Sequence, residues 1–248
     1  MGSIDRYAAA ATAVIAAAVL CGAGAARARA RPAARVDAPV AAGGELSAPL
    51  EEARIGIGRL KYGGGGDWYS DPSSLPNLLA EFERRTGIPT ARRDRAIEPL
   101  HPELFAYPFL YLTGHGTVAM TDREVERLRG HLLGGGFLWA DDNYGMDRSF
   151  RRLVERLFPE RPLEPVPFDH PIYRCFYRLD GPPKIHEHDG KPPEGLGIFD
   201  GERLVLFYTY ECDIGDGLED PDVHDNPPEL RELAARMAVN VLYYALTH

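Results

Sequence analysis

Cysteine is scarce. There are three in 248 residues: Cys21 falls in an N-terminal apolar stretch, and only Cys175 and Cys212 lie in the body of the chain. Two cysteines cannot staple a small disulfide scaffold, so a core has to hold the fold, and a chain of this length can bury one. An oxidising compartment would permit a Cys175–Cys212 bridge; two unpaired core thiols are the alternative, and spacing does not choose between them. Basic residues are also in deficit, 28 against 37 acidic, for a formal net charge of -9. That balance argues against nucleic acid as a partner and suits cationic or neutral ligands. No Gly-Lys-Ser/Thr follows the glycine run at residues 63–66, so this is not a P-loop. No HExxH or other closely spaced ligand pair is present, and spacing assigns no metal centre. The one long apolar run, residues 7–20, is Ala-rich and short of the about 20 residues that a membrane span needs.

What is present begins with that run. Arg6 precedes it, and small-residue sites follow at Ala23-Gly-Ala25 and Ala28-Arg-Ala30, so residues 1–30 read as a secretory signal peptide. The expected location is the periplasm or the cell exterior, with the membrane a partner only if this segment stays uncleaved. Ala18-Val-Leu20 lacks the small residue that a lipoprotein signal places before its Cys, which argues against lipidation at Cys21. Residues 31–52, rich in Ala, Pro and Gly, read as a flexible tether. Residues 53–248 read as one α/β domain.

Within that domain the residues at 107–142 organise the rest. Pro108-Phe-Leu-Tyr-Leu-Thr-Gly-His-Gly116 and Gly134-Gly-Gly-Phe-Leu-Trp-Ala-Asp-Asp142 each read as a short apolar strand running into a polar end. The capping box Thr121-Asp-Arg-Glu124 opens a helix between them, with Val125, Leu128, Leu132 and Leu133 facing inward. This is a β-α-β unit, and such units build parallel sheets whose ligands sit beyond the C-terminal strand ends. A first strand is expected around Ile55 and Ile57, ending at Lys61-Tyr62. The glycine run after it reads as a flexible loop, with Trp68 and Tyr69 a possible aromatic wall. A helix capped by Ser74 carries the stripe Leu75, Leu78, Leu79, Phe82 and stops at Gly87. Residues 90–97 suit an edge strand or a loop. Phe150, Leu153, Val154, Leu157 and Phe158 form another helical face. A Pro-dense irregular region covers residues 159–197, Gly197-Ile-Phe-Asp-Gly201 reads as a turn, and Arg203–Tyr210 as a strand. The last helix is expected to start at Asn226 and Pro227.

The succession Tyr107-Pro-Phe-Leu-Tyr-Leu-Thr-Gly-His-Gly116, Gly135-Gly-Phe-Leu-Trp-Ala-Asp-Asp142, His170-Pro-Ile-Tyr173 and Val239-Asn-Val-Leu-Tyr-Tyr-Ala245 resembles the bacterial family called domain of unknown function 4159, from about Ala53 to Leu246. That family is similar to the class I glutamine-amidotransferase-like superfamily. The resemblance implies a flavodoxin-like three-layer sandwich with a mostly parallel central sheet. Amidotransferases carry a nucleophilic Cys on the turn that corresponds here to Ala140-Asp141-Asp142. This chain has neither Cys nor Ser in that turn, which argues against thiolate chemistry and glutaminase activity.

The candidate site is therefore the polar strand ends. Thr113, His115, Asp141, Asp142, Arg148, His170 and Tyr173 are the expected ligand-binding residues, and Asp141, Asp142 and His115 the candidates for catalysis. Asp141 and Asp142 are adjacent on a strand end, so one alone should face a cleft. His115 beside an aspartate suits a general-base pair, or a metal site completed by His170 or Asp213, or a hydrogen-bond network that only holds loops. His170-Pro-Ile-Tyr173 could close over the strand ends as a lid, and an Arg at 148–152 could clamp a carboxylate or pair with Asp141 or Asp142. The run from Asp213 to Asp222 lacks EF-hand spacing and reads as a solvated acidic loop; His186-Glu-His188 reads as an exposed turn. Two functions follow. One is a non-catalytic exported domain binding a small molecule or an envelope protein at the strand ends. The other is a hydrolase of sugar or peptide envelope material with an Asp/His acid-base pair, metal-assisted or not. No cofactor is identified from the sequence.

Overall fold

A computed structural model describes residues 54–248. The signal peptide and tether expected over residues 1–52 lie outside the described residues. Seven strands form one sheet: β1 (Gly58–Leu60), β2 (Arg95–Ile97), β3 (Phe109–Leu112), β4 (Phe137–Asp141), β5 (Glu164–Pro165), β6 (Glu194–Asp200) and β7 (Arg203–Tyr210). Their order is β2-β1-β3-β4-β7-β6-β5. The five strands from β2 to β7 in that order are parallel, and β6 and β5 continue the sheet antiparallel. The helices are α1 (Ser74–Thr86), α2 (Asp122–Leu133), α3 (Asp147–Leu157), the short α4 (Ile214–Leu218) and α5 (Pro221–His224), and α6 (Pro228–Thr247). None of them is long and apolar enough to cross a membrane.

Alternation along the central strands feeds two separate apolar clusters. Phe109 and Tyr111 of β3, with Phe137 and Trp139 of β4, join the inner faces of α1 and α6. Leu110, Leu112, Leu138 and Ala140 join those of α2 and α3. Every side chain of β3 and β4 is buried, as a strand covered on both faces requires. The sequence expectations hold for β3, for β7 and for the capping box, in which Thr121 and Glu124 satisfy each other's backbone N–H. Gly87 ends α1 at φ 75°, a left-handed position that favours glycine.

The edge strand expected within residues 90–97 is β2, three residues long. Three local expectations need correction. Residues 197–200 are not a turn but the end of β6, and the turn is Gly201-Glu202. The first turn of α1 is capped not by Ser74 but by Glu219: its Oε1 accepts from Ser73 N (2.7 Å), Ser73 Oγ (2.8 Å) and Ser74 N (3.1 Å). A carboxylate there satisfies orphan N–H groups and the helix dipole together. The glycine loop is not free either. Gly63 exchanges backbone hydrogen bonds with Ala119, while Gly66 N and Asp67 N donate to Thr117 and His115, so the loops after β1 and β3 form one ladder.

Candidate functional site

An open cleft of about 550 Å³ lies beyond the C-terminal strand ends, lined by His115, Asn143, Tyr144, His186, Glu187, His188, Asp213 and Asp216. Larger depressions exist elsewhere, such as one of about 700 Å³ beside Arg151 and Phe158, but no histidine or cysteine lines it. The chemistry concentrates at the strand ends.

The loops after β3 and β4 build one wall. His115 and Tyr144 pair in a parallel bridge that prolongs β3 and β4 past their last residues. Asp67 holds His115 from the side: its carboxylate accepts the His115 backbone N–H and lies 3.1 Å from Nδ1. With Nδ1 engaged, Nε2 is the nitrogen left for a ligand. Thr113 is buried; its hydroxyl is 3.0 Å from the Asp141 carbonyl and 2.8 Å from Asn143 Oδ1. That fixes the Asn143 amide, whose Nδ2 donates to both oxygens of Asp71 at 3.0 and 2.8 Å.

The opposite wall comes from two segments that sequence reading set aside. Residues 211–219 are not a solvated loop: Glu211, Asp213 and Glu219 are buried and α4 forms there, while residues 220–225, which include α5, are exposed as expected. His186-Glu-His188 is not an exposed turn either. His186 Nδ1 lies 3.0 Å from Asp213 Oδ2 and 2.9 Å from Asp216 Oδ2, and His188 Nε2 lies 3.0 Å from Asp213 Oδ2. The hydrogen bond from Ile185 N to Cys212 O (2.8 Å) and that from Asp189 N to Glu211 (3.2 Å) pin residues 185–189 to the end of β7.

Burial and crowding set the protonation of this wall. Burial and the facing Asp216 push the Asp71 carboxyl up to about 8; burial and Asp213 push Asp216 up to about 7. Burial also works to raise Asp213, but the hydrogen bonds from His186 and His188 outweigh it and hold it below the ordinary carboxylate value. The same bond to Asp213 raises His186 to about 9. Among the described residues, five other than glycine have positive φ: Asp71, Tyr144, Glu211, Asp213 and Asp225. Tyr144 and Asp213 line the cleft, and Asp71 bonds Asn143, which does. Strain of that kind persists only where the surroundings enforce it.

The expected site residues divide. His115 lines the cleft and Thr113 supports it from below. Asp141 and Asp142 do point to opposite faces, but neither lines the cleft. Asp141 is fully buried; Thr209 Oγ1 and Gly215 N (2.7 Å) donate to its two oxygens, and burial raises its carboxyl well above the ordinary value. Asp142 is buried on the α3 side, where burial and Asp147 push it up to about 6. Arg148 is exposed on α3, and Arg151 pairs with Asp147 at 2.6 Å rather than with Asp141 or Asp142. His170 sits at the other end of the sheet. Its ring packs on Phe199 and Tyr244, and the Tyr244 hydroxyl accepts from Leu204 N at the start of β7. Tyr173 is wholly buried against Phe207. The Pro-rich region therefore reaches the strand ends through residues 185–189, not through residues 170–173.

Cys175 and Cys212 take no part. Both are free thiols; burial pushes Cys175 up to about 11 and Cys212 well above the ordinary value. Sequence reasoning missed Asp67, Asp71, Asn143, Asp216 and His224. The signal that could have found the last two was the simultaneous presence of two weak motifs, His-x-His and an Asp-rich run, each discounted alone.

A comparison with curated proteins returns no match. The family described as Domain of unknown function (DUF4159) matches residues 56–246, nearly all of the described residues, and the chain belongs to that family.

Proposed function

We propose that this domain is an exported, non-catalytic binding module of the amidotransferase-like superfamily that takes a small cationic or neutral polar ligand in the strand-end cleft. The observation that carries this reading is the lining of the cleft: three carboxylates, three imidazoles, an amide and an exposed tyrosine, with no Lys or Arg. Without a Lys or Arg, such a wall has no fixed cation to hold a polyanion. Tyr144, half exposed, offers a ring face to a cationic or sugar group. The strand order 2-1-3-4 followed by β7, and a separate apolar cluster on each sheet face, support a flavodoxin-like three-layer arrangement, in which ligands lie at the crevice where strand order reverses. The loops after β1 and β3 flank that crevice. Export rests on the sequence of residues 1–30. An envelope protein remains the alternative partner to a small molecule.

The test is thermal unfolding of the full chain in chelator against amines, sugars and wall-type peptides. A ligand binding only the folded state adds about 2.7 kcal/mol at a hundredfold excess over Kd. The reading requires such a shift to shrink in His115→Ala and Tyr144→Ala. A shift equal in both variants would move the site elsewhere.

The hydrolase reading is kept because of one observation. Asp67 clamps the exposed His115 through both its ring and its backbone, the arrangement that orients a general base. Its partner is Asp67 and not Asp141 or Asp142. Turnover of a glycoside or peptide that is abolished in both His115→Ala and Asp67→Asn would favour it over simple binding.

A further inference from the structure

Two segments far apart in sequence meet in the cleft wall, and their side chains converge on one point. We propose that His186, Asp213, Asp216 and His224 form a site for a single divalent cation of the zinc class. The inference rests on the strand-end cleft being the functional face. One ligand atom from each of His186, Asp216 and His224 lies within 4.8 Å of the other two. His186 Nδ1 is 2.9 Å from Asp216 Oδ2 and 3.0 Å from Asp213 Oδ2, and His224 Nε2 is 3.4 Å from Asp216 Oδ1. Nitrogen and oxygen donors at about 2.0–2.2 Å from a tetrahedral ion stand roughly 3.4 Å apart. His186, Asp216 and His224 need little movement to take one, and Asp213, beside His186, is the carboxylate nearest to complete the set.

The surroundings orient the donors as a metal site requires. Asn226 Nδ2 donates to the Asp216 carbonyl at 3.2 Å, so Asn226 Oδ1 is an acceptor. It lies 2.9 Å from His186 Nε2. That nitrogen therefore carries its hydrogen, and Nδ1 faces the two carboxylates. A histidine ligand fixed through its second nitrogen is the usual support for a bound metal. With Nδ1 and two carboxylates turned toward one another, a proton or a cation has to lie between them.

A second observation points to a ligand independently. Asp213 is 2% exposed and lines the cleft, yet its Oδ1 has no hydrogen-bond partner. Buried polar atoms without partners are rare, and an absent ion is one of the recognised reasons. Two imidazoles with carboxylates select zinc and its first-row neighbours over calcium and magnesium, which prefer oxygen alone.

The test uses the full chain stripped with chelator and titrated with zinc by calorimetry, with calcium in parallel. His224→Ala is the decisive variant, because α5 buries none of its residues and the change leaves the fold intact. The expected result is one zinc per chain, an affinity at least tenfold lower in His224→Ala and in Asp216→Asn, and no change in His101→Ala. Absence of saturable zinc binding, affinity untouched in both site variants, or calcium preferred over zinc would overturn the proposal and leave the cluster an ion-pair network. The cleft reading is judged separately: an organic ligand that stabilises the chelator-treated chain stands whether or not zinc binds.

Discussion

His131 offers the sharpest check on the physical reasoning, because it is buried with nothing to bond. It lies on the inner side of α2, 3% exposed, and neither ring nitrogen has a hydrogen-bond partner. Phe105 packs on the ring, and Gly136 approaches so closely that a side chain there would strike it. Burial, with a smaller contribution from Arg127, lowers the imidazole from 6.5 to about 4. The sign follows directly. Between those values the unfolded chain binds a proton that the folded chain refuses, so stability is complete above pH 6.5 and is lost progressively until about pH 4. A gap of that width at 1.36 kcal/mol per pH unit is worth ~3 kcal/mol, a large share of the about 5–15 kcal/mol by which domains are stable. His131→Leu removes both unpaired nitrogens and keeps a good helix former of similar bulk. Urea unfolding at pH 8, 6.5, 5 and 4 measures the difference. The variant should match or slightly exceed the parent at pH 8 and exceed it by ~3 kcal/mol at pH 4, with the denaturant slope unchanged. A difference that stays constant across the series would refute the assignment, since other acid-sensitive groups are common to both proteins and cancel.

Glu219→Ala should cost about 2 kcal/mol in the same assay, because it leaves the Ser73 and Ser74 N–H groups at the start of α1 without their acceptor; a loss under half of that would mean water replaces the carboxylate. Cys175 and Cys212 should both resist a thiol reagent in the native chain and both react after unfolding without reductant, read by mass. A pair that reacts only after reduction would mean a disulfide.

How much was legible in the sequence depended on how local the cause was. β3 and the capping box at Thr121 are set by neighbours within four residues, and the pattern gave their bounds. Asp141 and Asp142 were correctly placed at a strand end and on opposite faces, since alternation is local too. What alternation could not tell is that both ends are roofed, Asp141 by the first turn of α4 and Asp142 by α3. His186 meets Asp213 across 27 residues and Glu219 caps Ser73 across 146. No period or short spacing carries that information. An acidic run with no apolar stripe looks solvated, and only the imidazoles and the helix start brought to it from elsewhere make burying it tolerable. His170 and Tyr173 failed for the converse reason: an aromatic-rich, Pro-rich loop has apolar surface of its own to bury, and it buries it beside α6 and under β6 and β7 rather than over the polar cleft.

Tyr144 separates structural need from functional need within a single side chain. It follows the fixed Asn143, lies opposite His115 in the bridge that prolongs β3 and β4, and has φ 145°. A β-carbon there costs of order 1–3 kcal/mol, and glycine would remove it, less about 0.4–1 kcal/mol for the freedom glycine adds to the unfolded chain. The ring is 52% exposed and leans on His188 at 5.2 Å, so little packing is lost with it. Tyr144→Gly should therefore stabilise the domain by roughly 1 kcal/mol, which raises Tm by about 2–4 °C in a domain of this size. Tyr144→Ala keeps the β-carbon at the same φ and should bring no gain, which isolates the backbone from the ring. If the tyrosine is held there to meet a ligand, both variants should lose affinity for whatever the cleft binds, and the glycine variant would be at once the more stable and the less functional protein. A glycine variant no more stable than the alanine variant would show that the backbone at 144 is unstrained, and the cleft would lose one of its marks as a site.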